Sequence, residues 1–346
     1  MKILKDYNLK DLNTFGVDVN TKFFVEINSE EDLIEFLGQE EFKNNQRIFL
    51  GGGSNVLFTK DFDGIVILNK LKGIEITGED SENVLVRSLG GELWHDFVTF
   101  VVNHGYWGIE NLAFIPGSVG ATPIQNIGAY GAELKDTLEQ VEAFEVETGE
   151  KKIFSKEECE LGYRDSVFKN NLKGKYFILA ITLKLSKIPK PNLSYKILKE
   201  YLEKNKIKIN GPKASPVGLQ PRDISDAVTF IRQDKLPNPK IIGNAGSFFK
   251  NVFVSKEQLN NLLKIYPNMP SFEEDKVIKI PAGWLIEQCK WKGHKVGNVG
   301  VYEKQALVLV NYGGATGSEI VELANKIIAS VKEKFGLELL PEVNII

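Results

Sequence analysis

The sequence predicts an α+β protein of two or three domains. Short stretches with the two-residue alternation of strands are interspersed with stretches of helical period. The 346 residues exceed the length of one ordinary hydrophobic core. The segment from Lys204 to Pro221 is rich in lysine, asparagine and proline, which is typical of a loop or boundary. We therefore predict three segments, 1–72, 73–222 and 223–346.

The first half consists mainly of predicted strands. Ser29-Glu-Glu-Asp32 has the pattern of a capping box and predicts that a short amphipathic helix begins there. Leu93–Gly105 has helical period and carries a glycine where helices commonly end. Ser155-Lys-Glu-Glu158 has a second capping-box pattern. The strands are predicted at Lys22–Ile27, Arg47–Leu50, Ile65–Leu68, Ile74–Thr77, Val84–Ser88, Val141–Glu147, Lys152–Phe154 and Tyr176–Leu185.

The second half contains more helix. The clearest pattern is the last one, in which apolar residues within Ile320–Val331 form one stripe and Gly336 closes the helix. Before it we predict a helix at Asp223–Arg232, a loop around Ser247, a helix that begins at Ser255 and a strand near Leu307–Asn311.

Composition and charge exclude several classes of protein. The chain is 42% apolar and 26% charged, as soluble globular proteins are, and its net charge of −3 gives no reason to expect a nucleic-acid partner. No signal peptide is expected at the start, and the longest aliphatic runs are too short to insert into a membrane. Cys159 and Cys289 are too few for a disulfide framework, and no histidine has metal-ligand spacing. We expect a cytoplasmic enzyme with no metal and no obligatory protein partner.

A predicted strand ends abruptly in a glycine-rich stretch. Glycines let the backbone turn tightly and approach a ligand, and consecutive N–H groups beside a hydroxyl and an amide can cradle phosphate oxygens. The stretch lacks the Gly-Lys-Ser/Thr ending of a Walker loop and the G-x-G-x-x-G of a dinucleotide-binding unit. An ordinary turn remains the alternative. The candidate binding residues are Gly51, Gly52, Gly53, Ser54 and Asn55.

A second glycine-rich stretch, Ile115–Gly131, combines four glycines and two prolines with almost no charge. A solvent-exposed loop would be more polar, and a regular helix or strand would not tolerate these residues. Backbone packed against a large, flat, partly apolar ligand explains both features. The sequence therefore predicts a bound cofactor here, with candidate residues Pro116, Gly117, Ser118, Thr122, Gln125, Asn126, Gly128, Ala129 and Tyr130.

These two stretches resemble those of the UDP-N-acetylenolpyruvoylglucosamine reductase family. The resemblance covers essentially the whole chain, because further motifs occur in matching order and spacing: Asn13-Thr-Phe-Gly16, Gly162-Tyr-Arg-Asp-Ser-Val-Phe-Lys169, Gly243–Asn251, Ala282-Gly-Trp-Leu-Ile-Glu287 and Pro341-Glu-Val343. It implies a flavin-binding domain of the vanillyl-alcohol-oxidase (PCMH) type, followed by a C-terminal α+β substrate-binding domain. It also implies non-covalent FAD, NADPH as hydride donor and a UDP-sugar enolpyruvyl ether as substrate.

The resemblance assigns the catalytic residues. Hydride passes from N5 of the reduced flavin to C3 of the enolpyruvyl group, and the charge left at C2 must be stabilised and protonated. Arg164 would stabilise that charge, although an Arg-Asp pair is by itself more often a surface ion pair. Ser247 would give the proton to C2, although a turn or cap is the commoner use of such a serine. Glu342 would assist from a C-terminal tail that folds back and is ordered.

Further residues match binding positions of the family. Tyr195 matches a tyrosine that closes over the substrate in one of the family's two types, and a half-buried loop aromatic is the alternative. Arg232 is assigned to the cofactor, whereas Lys235, Asn251 and Gln305 are assigned to the substrate. Two other functions stay open at this point, namely an FAD-dependent oxidase on the same scaffold and a non-catalytic nucleotide-binding module.

Overall fold

The chain forms two structural units. The computed structural model describes residues 1–205, 218–274 and 277–346. Unit 1 comprises Met1–Tyr7, Thr21–Gly52 and Asp63–Asp234, and unit 2 comprises Asn8–Asn20, Gly53–Phe62 and Lys235–Ile346. The predicted boundary segment lies largely outside the described residues, and the division into three segments stays a prediction.

Every strand predicted in the first half is present, with ends that differ by a few residues. The loop predicted around Ser247 is wrong, because Gly243–Ser247 is a strand. The strands are β1 (Leu4–Asn8), β2 (Asn20–Ile27), β3 (Gln46–Leu50), β4 (Val56–Leu57), β5 (Phe62–Asn69), β6 (Ile74–Glu79), β7 (Asn83–Leu89), β8 (Gly128–Ala129), β9 (Ala132–Glu133), β10 (Leu138–Glu145), β11 (Lys151–Ser155), β12 (Tyr176–Ser186), β13 (Gly243–Ser247), β14 (Val252–Val254), β15 (Phe272–Glu274), β16 (Val277–Ile280), β17 (Lys295–Val296), β18 (Val299–Val301), β19 (Val308–Asn311) and β20 (Asn344–Ile345).

Three helices begin at a residue whose side chain caps the first turn. The side chains of Ser29, Ser255 and Thr316 each accept a hydrogen bond from the backbone N–H three residues later. Within the described ranges, no helix is long and apolar enough to cross a membrane. The helices are α1 (Glu30–Leu37), α2 (Glu40–Lys43), α3 (Trp94–Asn103), α4 (Lys196–Lys204), α5 (Pro221–Lys235), α6 (Lys256–Ile265), α7 (Ala282–Gln288) and α8 (Gly317–Phe335).

Unit 1 is built on two sheets. One has the order β1-β2-β5-β3, in which β3 and β5 are parallel, and the other has the antiparallel order β11-β10-β12-β7-β6. The central strand β12 is buried along nearly its whole length, so it reads as a continuous apolar run. Its Ile181, Leu183 and Leu185 share one buried apolar cluster with side chains of α3, namely Trp94, Phe97 and Val101. The same cluster includes Val119 and Ile127, so it anchors the second glycine-rich stretch.

Unit 2 is built on the antiparallel sheet β13-β19-β18-β17, a smaller sheet β14-β16-β15 and the parallel pair β20-β4. Helix α8 contacts β18, β19 and α7 through the predicted apolar stripe, whose Ile320, Ile327 and Val331 are fully buried. Gly336 ends α8 with a left-handed φ of 66°. The predicted last helix is therefore confirmed.

Candidate cofactor and active site

In unit 1 the two glycine-rich stretches lie in direct backbone contact. A Cβ on Gly52 would lie 2.8 Å from Cα of Gly117, and a Cβ on Gly51 would overlap the hydroxyl of Ser118. No side chain larger than hydrogen fits between the two backbone segments at these points. The sequence explains the glycines by close approach to a ligand, and the structure adds a close approach of one stretch to the other.

Ser118 carries an unsatisfied hydroxyl at this contact. Its side chain is 3% exposed, and its Oγ has no hydrogen-bond partner within the described residues. Burial of a hydroxyl without a hydrogen-bond partner costs roughly 1–3 kcal/mol of folding free energy. Such a hydroxyl therefore normally bonds to a group outside the chain, such as a ligand or a water molecule. Thr122, by contrast, turns its hydroxyl onto the carbonyl of Val119 at 2.7 Å. The hydroxyl of Ser118 is therefore available to a polar atom of a ligand, whereas the hydroxyl of Thr122 is bonded within its own turn.

Arg164 is held on the second glycine-rich stretch. Its guanidinium donates to the carbonyl of Gly128 at 2.7 Å and to that of Asn126 at 3.4 Å. Asn126 is fully buried, and its side chain donates to the carbonyl of Gly162 at 2.9 Å, two residues before the arginine. The motif around Arg164 is thus fastened to the predicted cofactor stretch from both sides.

Left-handed backbone is concentrated here. Seven non-glycine residues of the described chain have a positive φ, and four of them are Phe114, Asn126, Tyr130 and Arg164, with φ of 58°, 43°, 49° and 52°. Such residues cost energy and persist where surrounding contacts hold them, commonly at functional sites. Sequence reasoning could not find this feature, because tertiary hydrogen bonds determine it.

Arg232 extends this region from α5. Its Nε donates to the carbonyl of Phe114 at 3.0 Å. Burial lowers the pKa of the Arg232 guanidinium, and the charge of Arg164 lowers it further, whereas Tyr130 opposes the shift. Two cations that repel each other in a partly buried place favour an anionic ligand between or beside them.

Tyr195 lies at the start of α4, and its ring packs edge-on against Tyr130 at 5.2 Å between centroids. It is 50% exposed, so it can still contact a ligand. Two asparagines fix its position relative to the second stretch. Asn111 donates to the carbonyls of Tyr130 and Asn192, both at 2.9 Å, and Asn192 donates to the carbonyl of Gly131 at 2.8 Å.

Asn111 was not among the residues predicted from the sequence. A signal was available, because Glu110-Asn111 is the only polar pair inside the apolar run Trp107–Ile115, and polar residues in such a run are buried for a reason. Both are buried in the structure.

In unit 2, the remainder of the first stretch packs on the Asn13–Gly16 motif. Gly53 has a φ of 61°, and its carbonyl accepts the N–H of Thr14 at 3.0 Å. The buried side chain of Asn13 donates to the carbonyls of Leu9 and Val17, at 2.8 and 3.0 Å. Asn13 thus shapes the loop on which Gly53 rests, and Ser54 follows directly in the chain.

Ser247 ends strand β13, where it pairs with Val308 of β19. The register shifts between Asn244 and Ser247, and Gly246 supplies the left-handed φ of 68° that such a bulge needs. Asn244 accepts the N–H of Gly246 at 3.0 Å and so fixes the bulge. A bulge re-aims the side chains next to it, and a strand holds the serine more rigidly than the loop that the sequence predicted.

The C-terminal tail folds back onto the residues that follow Ser247. The N–H of Glu342 donates to the carbonyl of Phe248 at 2.7 Å, and Phe249 bridges Pro341. The side chain of Asn55 donates to the carbonyl of Glu342 at 3.3 Å. β20 then pairs with β4 as the chain ends. The expected ordered tail is therefore confirmed, and Asn55 contributes to it.

Asn251 directly precedes β14, and Gln305 lies three residues before β19. The Oδ1 of Asn251 accepts the N–H of Ala282 at 3.1 Å and so bonds the first residue of α7. The Oε1 of Gln305 accepts the N–H of Leu307 at 3.3 Å, and the carbonyl of Leu307 accepts the N–H of Phe248. Lys235 is the last residue of α5. Binding roles for these three residues stay predictions.

The two cysteines are not suited to nucleophilic chemistry. Burial raises the pKa of the Cys159 thiol to about 12 and also raises the pKa of Cys289. Across residues 1–205, 218–274 and 277–346, no cluster of three His, Cys, Asp or Glu side chains is placed to hold a metal ion.

The comparisons with known proteins define the class first. Residues 21–154 match a family described as an FAD binding domain, and this range includes both glycine-rich stretches. The chain has the fold of a reductase from Thermus caldophilus, with a TM-score of 0.67, 23% identity and coverage of 99% and 98% of the two chains. A solvent-stable cholesterol oxidase shares the fold more distantly, with a TM-score of 0.53 and 10% identity. The chain is an FAD-containing oxidoreductase, and the predicted fold class is confirmed.

The family follows from the remaining comparisons. Residues 237–346 match the C-terminal domain of UDP-N-acetylenolpyruvoylglucosamine reductase. Reductases of that name from Flavobacterium johnsoniae and Amoebophilus asiaticus are each 46% identical to this chain, with complete coverage of both chains. The chain belongs to the UDP-N-acetylenolpyruvoylglucosamine reductase family.

The residues of unit 1 fit an FAD group. The backbone contact between Gly52 and Gly117 leaves peptide groups bare of side chains, and the buried Ser118 hydroxyl needs a polar partner. The cationic pair Arg164 and Arg232 suits a ligand that carries negative charge. No histidine or cysteine lies in either glycine-rich stretch, which agrees with non-covalent binding.

Proposed function

We propose that this protein reduces UDP-N-acetyl-3-O-(1-carboxyvinyl)glucosamine to UDP-N-acetylmuramate, with FAD and NADPH, in the cytoplasmic synthesis of peptidoglycan precursors. The observation that carries the proposal is the 46% identity to curated reductases over the complete length of both chains. The cradle formed by Gly51, Gly52, Gly117 and Ser118 supports it independently.

The reaction dictates what the protein must supply. FAD, once bound and reduced by NADPH, would supply a hydride to C3 of the enolpyruvyl group. Negative charge then develops at C2 and is shared with the neighbouring carboxylate, as in an enolate. A fixed positive charge must stabilise that carboxylate, and an acid must protonate C2.

Arg164 is the proposed charge stabiliser. A guanidinium remains protonated at all relevant pH values and can bind a carboxylate with two parallel hydrogen bonds. Its bonds to the carbonyls of Asn126 and Gly128 fix its orientation before the substrate arrives. This preorganisation lowers the cost of binding the developing charge.

Ser247 is the proposed proton donor to C2. The enolate is strongly basic, so a hydroxyl can protonate it without an activating base. The bulge that Gly246 and Asn244 create, together with the pairing to Val308, supports a fixed orientation of the hydroxyl. A fixed donor raises the probability that the proton and C2 meet in productive geometry.

Glu342 is proposed to assist protonation or to stabilise the enol. Its backbone bonds to Phe248, the residue after Ser247, and to Asn55. For the nucleotide sugar we propose Tyr195, Lys235, Asn251 and Gln305 as binding residues. The ammonium of Lys235 suits a diphosphate, and the ring of Tyr195 suits closure over a sugar nucleotide.

Replacement of Ser247 tests the mechanism. In Ser247→Ala, NADPH should still bleach the flavin at close to the wild-type rate, because the serine takes no part in that half-reaction. Reduction of the enolpyruvyl substrate should fall by roughly 10²-fold or more, which is typical of the loss of a general acid. Stopped-flow spectroscopy measures the two half-reactions separately.

A matched control is Ser330→Ala, which removes an exposed hydroxyl on α8. It should leave both half-reactions unchanged. A parallel loss of both half-reactions in Ser247→Ala would assign the serine a structural role, and unchanged substrate reduction would remove it from the mechanism.

A further inference from the structure

The segment that leads into the second glycine-rich stretch is hydrogen-bonded to the first residues of α3. Trp94, the first residue of the helix, donates its backbone N–H to the carbonyl of Gly117 at 3.0 Å. Its indole Nε1 donates to the carbonyl of Leu112 at 2.9 Å. The adjacent His95 accepts the N–H of Phe114 at its Nδ1, at 3.1 Å. Three bonds from two neighbouring residues therefore fasten residues 112–117.

Phe114 is the strained point of this segment. Its φ of 58° lies in the left-handed region, which is unfavourable for an aromatic residue. Both of its backbone polar groups are bound by side chains: the N–H by His95 and the carbonyl by Nε of Arg232, at 3.0 Å. The imidazole also packs edge-on against the Phe114 ring at 5.6 Å. These two side-chain bonds offset the cost of the left-handed conformation at the residue that directly precedes Ile115–Gly131.

We propose that His95 is a positioning residue for the cofactor: its neutral imidazole, with Arg232, holds Phe114 in the left-handed conformation that presents Ile115–Gly131 to FAD. The inference rests on the proposed binding of FAD by that stretch. The role depends on protonation, because an acceptor Nδ1 must carry no proton. In the imidazolium both ring nitrogens donate, so Nδ1 would oppose the N–H of Phe114 instead of accepting it.

The surroundings keep His95 neutral. Burial lowers its pKa, and the nearby charge of Arg232 lowers it further. Two carboxylates oppose this shift, Asp96 on the same helix and Asp226 on α5. The balance holds the pKa below its usual value, so the bond to Phe114 is intact near neutral pH and is lost as pH falls below the ordinary histidine range.

The test uses three variants of the full chain and measures the Kd of FAD, by ultrafiltration of the yellow protein, from pH 5 to pH 8. His95→Phe keeps a ring but removes the acceptor, and it should weaken FAD binding on the order of 10-fold at neutral pH. His95→Asn places an amide oxygen where Nδ1 lies, and it should restore binding to within about two-fold of the wild type. His104→Asn, at the residue that directly follows the same helix, is the control.

The pH profile separates positioning from mere packing. FAD binding by the wild type and by His104→Asn should weaken several-fold toward pH 5, whereas binding by His95→Asn should not. Equal pH profiles for the wild type and His95→Asn would overturn the proposal, even if His95→Phe failed to fold by circular dichroism. Wild-type affinity in His95→Phe would overturn it as well. A wild-type protein that binds no FAD at any pH would instead refute the proposed function.

Discussion

At the scale of single residues, the candidate site is held by buried polar side chains that bond to backbone. Asn126 bonds the carbonyl of Gly162 and the N–H of Lys135, and Asn111 bonds two carbonyls of neighbouring segments. Each bond replaces a partner that water would otherwise supply, so loss of one side chain leaves backbone groups unsatisfied. The sequence could point to the residue types but not to these pairings, because they join segments that are far apart in the chain.

Glu110 makes folding stability depend on pH. Its carboxyl is 2% exposed, and burial raises its pKa to about 7, whereas the N–H groups of Gly108, Glu110 and Ile109 oppose the shift. The folded protein therefore holds this proton more tightly than the unfolded chain. The stabilising contribution is fully present below pH 4.5 and is lost as pH rises through about 7.

We expect Glu110→Gln to remove this dependence. The amide oxygen can still accept the N–H of Gly108, which lies 2.6 Å from the carboxylate, and the amide carries no charge at any pH. The variant should match the wild type near pH 4.5 and exceed its unfolding free energy by at most about 3 kcal/mol at pH 8, at about 1.4 kcal/mol per pH unit. Urea unfolding at several pH values measures the difference. The exposed Glu139→Gln is the control, and a pH-independent difference for Glu110→Gln would contradict the account.

At the scale of elements, the glycine-rich stretches act as packing surfaces as well as ligand-binding loops. The contact between Gly52 and Gly117 allows the end of β3 and the loop before Val119 to lie backbone against backbone. The sequence predicted both stretches and their close approach to a ligand. It could not predict that they touch, because the contact joins backbone segments that are far apart in the chain.

Gly52→Ala should separate the two stretches. The added Cβ would lie 2.8 Å from Cα of Gly117, so backbone must move, and FAD affinity should fall by roughly 10-fold or more. The matched control is Gly38→Ala at the end of α1, where φ is −77° and the nearest atom to a Cβ is 3.4 Å away. Equilibrium FAD titration measures both variants. Wild-type affinity in Gly52→Ala would show that the contact does not shape the cofactor site.

Local signals account for the elements that were predicted well. Ser255 begins α6 as predicted, through a capping box, and a capping box at Thr316, which was not predicted, begins α8. Ser155 forms both bonds of a capping box with Glu158, yet turns follow instead of a helix. Local hydrogen bonding starts a helix, but its continuation requires an apolar face to bury. Residues 156–161 lack a sustained apolar stripe, so tertiary contacts decide their conformation.

At the scale of the whole molecule, fold class and family could be predicted because several separated motifs occur in order along the chain. For the site, the sequence predicted the identity of single residues but not the local structure that positions them. Ser247 illustrates the limit: its motif gave the residue, but the strand β13 and its bulge arise from pairing with β19, about sixty residues later. The ordered C-terminal tail was predictable only from the resemblance, since nothing local in Pro341-Glu-Val343 requires order.

The oxidase on the same scaffold is the alternative that bears on the central claim. A reductase and an oxidase of this fold would both be yellow and would both bind FAD, so neither colour nor cofactor content separates them. The two differ in what reoxidises the reduced flavin.

The most direct test follows the visible flavin spectrum during reaction with NADPH. Without oxygen, NADPH should bleach the flavin, and the colour should return only when the enolpyruvyl sugar nucleotide is added. In air and without that substrate, NADPH should be consumed only slowly. NADPH consumption in air that is equally fast with and without the substrate, or a protein that stays colourless after FAD is supplied, would contradict the account.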